Sequence, residues 1–346
     1  MTADSTIGVA IIGLGIGEQH ANAIAKHPGC ELVYLYDNDA NKSHELKQKL
    51  QQGEVAESFD ACLQNQKVNM LIIASYDEAH FAQVIAALDA GKHVFVEKPV
   101  CQSHTQLKTL KDRWSYYDGK LKLSSNLILR AAPLYQWVKQ EISNNNFGDI
   151  YAIDGDYLYG RFNKIVQGWR GKDANYSVMM GGGIHIIDLM LWFLGQRPKS
   201  VMSFANRIST QTWNGERAQK GSFENNDFVT SVFEFKSGVI GNIKANFSCV
   251  HQHQHTLRIF GTKATFIYDD MGARLHQGRD DNPQVEKIEL SALPSHKSDL
   301  LPDFIHAIKT NADLNAHTQE IFDGISLCTA SDISLTNQHR TSIDYL

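Results

Sequence analysis

The sequence predicts an α/β fold in two parts: a doubly wound parallel sheet, then a strand-rich half whose sheet is mainly antiparallel. Three observations predict it. Apolar strand-like runs alternate with helical segments from Ile7 to Asn126. The first run ends in a glycine-rich turn that opens a helix. Beyond residue 200, five strand-like runs follow one another without the helical crossovers that parallel pairing needs.

A length of 346 residues suits two domains, here divided as 1–125 and 126–346. Hydrophobic content is 42% and charged content 21%, ordinary for a soluble globular protein. The net charge of −5 and the absence of a basic run speak against nucleic acid or an anionic membrane as partner. Five cysteines, odd in number and without a CxxC, fit free thiols in a reducing cytoplasm. No apolar run approaches the ~18 residues of a membrane span. No Lys or Arg precedes the apolar run at the N-terminus, which reads as a first strand and not as a signal peptide.

Ile7–Ile12 is a continuous apolar run, the mark of a parallel strand covered on both faces. Gly13-Leu-Gly-Ile-Gly17 follows, then a helix from Glu18 to Lys26. Gly13 suits the tight turn, Gly15 a close approach of pyrophosphate, and Gly17 close packing of helix on strand. Amides at the helix start would hold the phosphates. The spacing is GxGxG, one residue short of the dinucleotide fingerprint.

Glu31–Tyr36 is the second strand and ends in Asp37, an acid placed to bind the ribose hydroxyls of NAD. No arginine stands near it to accept the 2′-phosphate of NADP. The alternative role for Asp37 is to cap the helix Asn41–Gln51. Val55–Phe59, Val68–Ala74, His93–Val96 and Leu121–Asn126 read as further strands. Helices Glu78–Ala90 and Thr105–Tyr116 lie between the later ones. His93–Val96 runs into Glu97-Lys98-Pro99. At the carboxyl end of a parallel strand, Lys98 faces whatever fills the crevice, and Pro99 keeps it extended.

In the second half, Leu134–Asn144 reads as a helix and Ile150–Tyr159 as a strand. Gly181-Gly-Gly183 leads into an apolar helix, Ile186–Leu194, with His185 in its first turn and Asp188 three residues on, facing the same way. The glycines are expected to let a ligand approach. Strands follow at Ser200–Arg207, Phe228–Phe235, Val239–Val250, Thr256–Phe260 and Ala264–Tyr268, with a polar loop over Gln211–Asn226. The histidines of His251-Gln-His-Gln-His255 share one face if they lie on a strand. They lack carboxylate or thiolate companions in the motif, and read as a polar sheet face and not as a metal site. Helices Leu301–Lys309 and Gln319–Asn337 end the chain.

Several motifs in order resemble the Gfo/Idh/MocA family of NAD(P)-dependent oxidoreductases. They are the glycine turn with His20; Ile73-Ala74 with His80; Ala90-Gly-Lys-His-Val94 running into Glu97-Lys98-Pro99; and Asn126 and Arg130. Trp169-Arg170, Gly181-Gly-Gly-Ile-His185-Ile-Ile-Asp188 and Gly261-Thr262 complete the series. The resemblance implies a Rossmann domain followed by an α/β domain with a large open sheet, assembling as a homodimer or homotetramer. It implies that Lys98 polarises a substrate oxygen and His185 moves its proton. Cofactor contacts fall to Gly13, Gly15, Ile16, Gly17, Asp37, Ala74, Ser75, His80, Glu97, Lys98, Asn126, Trp169 and Arg170, and substrate contacts to Lys98, Arg170, His185 and Asp188. The implied substrate is a sugar, sugar derivative or inositol. Many members carry an Asp where this chain has Gly181, a departure that keeps open a nucleotide-sugar substrate. A non-catalytic NAD-binding sensor is the alternative from another class.

Overall fold

The computed structural model describes residues 6–173, 176–217, 223–279 and 284–346. The chain forms two compact units. One holds the residues up to Ala131 together with Pro294–Ile325 and Leu346; the other holds Ala132–Leu293 and Ser326–Tyr345. A division after residue 125 assigns everything beyond it to the second domain, whereas Pro294–Ile325 groups with the first unit.

The first unit alternates β1 (Ile7–Ile12), α1 (Gly17–Lys26), β2 (Cys30–Tyr36), α2 (Ala40–Leu50), β3 (Glu54–Val55), α3 (Phe59–Gln64), β4 (Met70–Ile73), α4 (Asp77–Asp89), β5 (His93–Val96), α5 (His104–Tyr116) and β6 (Leu123–Ser125). All six residues of β1 are buried, as a strand covered on both faces must be. The sheet is parallel, in the order β3-β2-β1-β4-β5-β6. Chain direction across the sheet reverses between β1 and β4, the switch point where such sheets bind ligands. The strand expected at Val55–Phe59 shrinks to two residues. Ser58 accepts a hydrogen bond from the Ala61 amide at 3.1 Å and caps α3, turning the chain into a helix that the apolar pattern does not show.

The helix Leu301–Thr310, far along the chain, completes this unit's core. Its Leu301, Phe304, Ile305 and Ile308 are buried with Ile7, Val9, Ile11, Leu35, Ile72 and Phe95. The rings of Phe304 and Phe95 lie 5.6 Å apart.

The second unit begins with α6 (Pro133–Ser143), β7 (Ile150–Leu158), α7 (Phe162–Val166), α8 (Ile184–Leu194), β8 (Pro198–Asn206) and α9 (Ile208–Arg217). It continues with β9 (Phe228–Phe235), β10 (Ile240–Asn246), β11 (Gln254–Gly261), β12 (Ala264–Asp269), β13 (Gly272–Gln277) and β14 (Gln284–Ile288). With Thr341–Ser342 as β15, they form a sheet in the order β14-β13-β12-β11-β7-β10-β9-β8-β15. Only the β7–β10 pair is parallel. Along β9, Val229, Ser231, Phe233 and Phe235 are buried while their neighbours are not, the alternation of a sheet covered on one face. Helix α8 is hydrophobic all round and correspondingly buried.

Two expectations change here, and two strands are added. The loop over Gln211–Asn226 is helical as far as Arg217, and residues 218–222 lie outside the described residues. Near the helix start, the Thr210 amide and hydroxyl both donate to buried Asp227, at 2.8 and 2.7 Å. This tertiary anchor overrides a weak local pattern. The strand bearing the histidines starts at Gln254, so His251 and His253 precede it. Strands β13 and β14 lie at the sheet's end, and exposed β14 is too polar to be read as a strand.

Phe304→Ala removes a ring from the core of the first unit. We expect a loss of about 3–5 kcal/mol in urea unfolding, with the fluorescence of the first unit's Trp114 reporting the shift. A loss below roughly 1 kcal/mol would show that this helix is not part of that core.

Candidate active site

In the first unit the candidate residues stand at the carboxyl ends of β1, β2, β4, β5 and β6. Gly13 has φ +82°, and a Cβ there would lie 2.6 Å from the Ala74 carbonyl oxygen and the Ser75 nitrogen. Only glycine permits both the left-handed backbone and this approach. No described atom lies within 4 Å of where a Cβ on Gly15 would stand, which leaves room for a phosphate against the backbone. Gly17 packs α1 onto β1, its Cβ position 3.0 Å from Ile11 Cγ2. Ile16, between them, is 42% exposed.

Asp37 braces this turn. Its Oδ2 accepts a hydrogen bond from the Leu14 amide at 2.7 Å, and its Oδ1 accepts from the Asp39 amide at 2.9 Å. The cap of α2 is Asp39, not Asp37. Lys42 lies 3.7 Å from Asp37. Two amides thus fix the carboxylate beside the glycine turn, and it keeps acceptor sites for ribose hydroxyls.

Past β4, the Ser75 hydroxyl donates to Gln83 at 2.6 Å. The buried His80 ring spans two loops: Nδ1 lies 2.7 Å from the Pro99 carbonyl oxygen and Nε2 3.1 Å from that of Ser75. It ties the loop bearing Lys98 to the loop after β4, a supporting position rather than an exposed one.

Glu97 sits deeper. It accepts from His20 Nε2 at 2.9 Å and from Asn126 Nδ2 at 2.7 Å, both on the same carboxylate oxygen. His20 is fully buried, its other nitrogen 3.1 Å from Ser298 Oγ and its ring edge-on to Phe95. Burial alone would raise the Glu97 pKa; the hydrogen bond and charge of His20, the hydrogen bond from Asn126 and the charge of Lys98 overcome this and hold it below its usual value. Asn126 also donates to the Lys297 carbonyl at 2.9 Å, while its buried Oδ1 has no hydrogen-bond partner among the described residues. Such an acceptor fits an amide donor of a bound molecule, the nicotinamide carboxamide included. These residues fit a dinucleotide: a glycine cradle, a braced acid beside it and an unsatisfied amide oxygen at the end of β6.

In the second unit, His185 lies in the first turn of α8 and is 9% exposed. Asp188 is 1% exposed in the same helix. Tyr157 stacks on the His185 ring at 6.0 Å and 17°, and His255 meets it at 6.3 Å. His253 lies 5.0 Å from His255, so part of the histidine run lines the wall beside His185. No group of three metal-ligating side chains occurs among the described residues. Arg170 lies over the Trp169 ring at 4.5 Å, and its Nε donates to the Tyr176 hydroxyl at 3.0 Å.

The three glycines before His185 do a different job from the one expected. Residues Met179–Gly183 form a buried π-helical turn. A Cβ at 181 would overlap the Tyr176 hydroxyl, one at 182 would meet Tyr157, and one at 183 would run into Met179. Side chains of this unit, and not a ligand, take up the room. Sequence reasoning quoted His20 only within a motif and missed Ser298, Tyr157 and Tyr176. Spacing offers no link between Glu97 and Ser298, whereas Tyr176 close before a glycine triplet is a detectable signal.

A dinucleotide cradle at a parallel-sheet switch point, with a lysine at the next strand end, defines a nicotinamide-dependent oxidoreductase. Residues 7–120 match the family model described as an oxidoreductase family with an NAD-binding Rossmann fold, and residues 135–267 match the Gfo/Idh/MocA C-terminal domain. The two matches together span more than half of the chain, and the protein belongs to the Gfo/Idh/MocA family. It is 27% identical over 282 residues to D-glucoside 3-dehydrogenase of Escherichia coli (strain K12), covering 78% of this chain and 77% of that protein. It is 24% identical over 302 residues to scyllo-inositol 2-dehydrogenase (NAD(+)) of Bacillus subtilis (strain 168), covering 85% and 80%. Levoglucosan dehydrogenase, solved with NADH and levoglucosan, superposes with a TM-score of 0.85 at 17% identity over 99% of this chain and all of that one, a likeness of fold. No helix among the described residues is long and apolar enough to cross a membrane.

Ahead of the glycine turn, the Ser177 hydroxyl donates to Asp332 at 2.9 Å and accepts from the Met180 amide at 3.2 Å. Burial pushes the Asp332 carboxyl up to about 7 from 3.8, with the Ser177 bond opposing. Between those values the folded chain holds a proton that the unfolded chain has lost, so rising pH favours unfolding until Asp332 ionises in both states. Asp332→Asn removes this dependence. Relative to the wild type, the variant should gain stability from pH 4 to pH 8, by at most roughly 4 kcal/mol. Parallel stability curves for the two proteins would refute the shift.

Proposed function

We propose that the protein is an NAD-dependent dehydrogenase of a secondary hydroxyl, or reductase of the matching ketone, on a sugar, sugar derivative or inositol. The observation that carries the reading is the braced β5 end. Glu97 is fixed by His20 and Asn126, and His80 ties down Pro99, so Lys98 emerges from a loop held on both sides. The relatives named above act on glucosides and inositols, which supports this substrate class.

Nicotinamide, when bound, takes up or gives back the hydride. Lys98 binds the substrate oxygen, and its ammonium stabilises the negative charge that grows there as the O–H proton leaves. His185 takes that proton, since an imidazole titrates close to neutral pH, and returns it in the reverse direction. By resemblance to the family, Trp169 and Arg170 would border the substrate, with Arg170 as a contact for cofactor or for an anionic group on the substrate. Asp188, buried three residues further along the same helix, is assigned to supporting the turn that bears His185. Asp37 accepts from the adenosine ribose and repels a 2′-phosphate. A homodimer or homotetramer forms through the open face of the second sheet, where Phe204, Val232 and Ile240 are exposed on one side.

Lys98→Ala should lower kcat by about 10²- to 10³-fold while the dissociation constant for NADH changes less than threefold. Equal turnover in that variant removes Lys98 from the mechanism. Asp37→Ser should cut the preference for NAD over NADP by about tenfold or more, since one lost charge repulsion of ~1.4 kcal/mol is a factor of ten. An unchanged ratio of kcat/KM values would show that Asp37 serves only to brace the turn.

A further inference from the structure

We infer that Tyr176, held by Arg170, is a positioning residue for His185, acting through the glycine turn that precedes it. The inference rests on the reading of His185 as the base.

Tyr176 is 3% exposed. Its ring is gripped edge-on by Trp169 at 5.8 Å, Phe223 at 6.1 Å and Phe247 at 6.2 Å. A buried phenol needs a hydrogen-bond partner, and the Arg170 Nε–H supplies one. The same guanidinium lies over the Trp169 ring, 4.5 Å from its centre, which helps fix its direction. The hydroxyl is therefore immobilised at one point, and that point is the space above Gly181. A Cβ there would overlap the hydroxyl oxygen and come within 3.2 Å of the ring's Cε1.

Gly181 is four residues before His185 in a continuous helical run, where side chains four apart lie over one another. Whatever presses on residue 181 presses on the turn that sets the height of the imidazole. A second set of contacts leads the same way. Phe247 touches both Tyr176 and Tyr157, at 6.2 and 5.5 Å, and Tyr157 stacks on His185. The Arg170–Tyr176 pair thus reaches the base along the backbone and along a row of rings. Any side chain at 181 excludes this arrangement. Tyr176 and a residue larger than glycine at 181 are alternatives, and this chain has built its site around the tyrosine.

The test uses the full-length protein with its best substrate and NAD. Tyr176→Phe keeps the ring and removes the hydroxyl with its Arg170 bond. It should lower kcat by about 10- to 100-fold, as a misplaced catalytic group does, while KM and NADH affinity change less than threefold. The limb of the pH profile that belongs to His185 should move. Gly181→Asp alone should lose activity by clash. Tyr176→Ala with Gly181→Asp should recover at least tenfold over Gly181→Asp, and Tyr176→Phe with Gly181→Asp should not, because the ring still collides. His185→Gln separates the two readings. If it is inactive while Tyr176→Phe matches the wild type in kcat and pH profile, the positioning role is wrong and the base stands. If His185→Gln keeps full activity, the base reading fails and takes this inference with it. A Gly181→Asp protein that folds and turns over normally would also overturn the inference.

Discussion

A carboxylate partly withdrawn from water at the end of a parallel strand is costly unless it is paired, and Glu97 is paired twice on one oxygen. Much of the first unit is arranged around that need. His20 comes from α1, directly behind the glycine turn, and Asn126 comes from the end of β6. Ser298 and the Lys297 carbonyl come from a segment 171 residues beyond Asn126 and 278 beyond His20, and hold the two donors in turn. The carboxylate therefore joins the cofactor turn, the neighbouring strand and the returning C-terminal segment. Lys98, next in sequence, inherits a backbone that cannot drift. His80 closes the other side by bridging the Ser75 and Pro99 carbonyls.

The second unit solves a different problem with different means. Its helix α8 is almost wholly apolar, so close packing surrounds the polar group in its first turn. Three glycines let Tyr176, Tyr157 and Met179 close onto the π-helical turn. The result is a histidine set in a wall of rings, with Tyr157 on its face and His255 at its edge. Packing of this kind holds the imidazole still, as the proposed proton transfer requires.

What the sequence shows and what it hides follow from the range of the interactions. The β1–turn–α1 unit and Asp37 were legible because each element is local: a continuous apolar run, a glycine requirement at φ +82°, and an acid at a strand end. The alternation to Asn126 and the mainly antiparallel second sheet were legible for the same reason. The helix α3 was not, because six residues carry too little periodicity and only the Ser58 cap marks it. The membership of Leu301–Thr310 in the first unit was hidden, since an amphipathic helix does not say which sheet it covers. Gly181–Gly183 show the limit most clearly. The sequence reveals that side chains are excluded there, but whether a ligand or a neighbouring tyrosine excludes them is decided by residues elsewhere in the fold.

The central claim is that this is a working dehydrogenase and not only a dinucleotide binder. The most direct test follows nicotinamide absorbance as the wild-type protein, with NAD, meets a panel of aldoses, glucosides, inositols and nucleotide sugars. NADH forms with at least one sugar or inositol, one per substrate oxidised, and His185→Gln abolishes it. Tight NADH binding together with silence across the whole panel, in both reaction directions, would contradict it and favour a sensor.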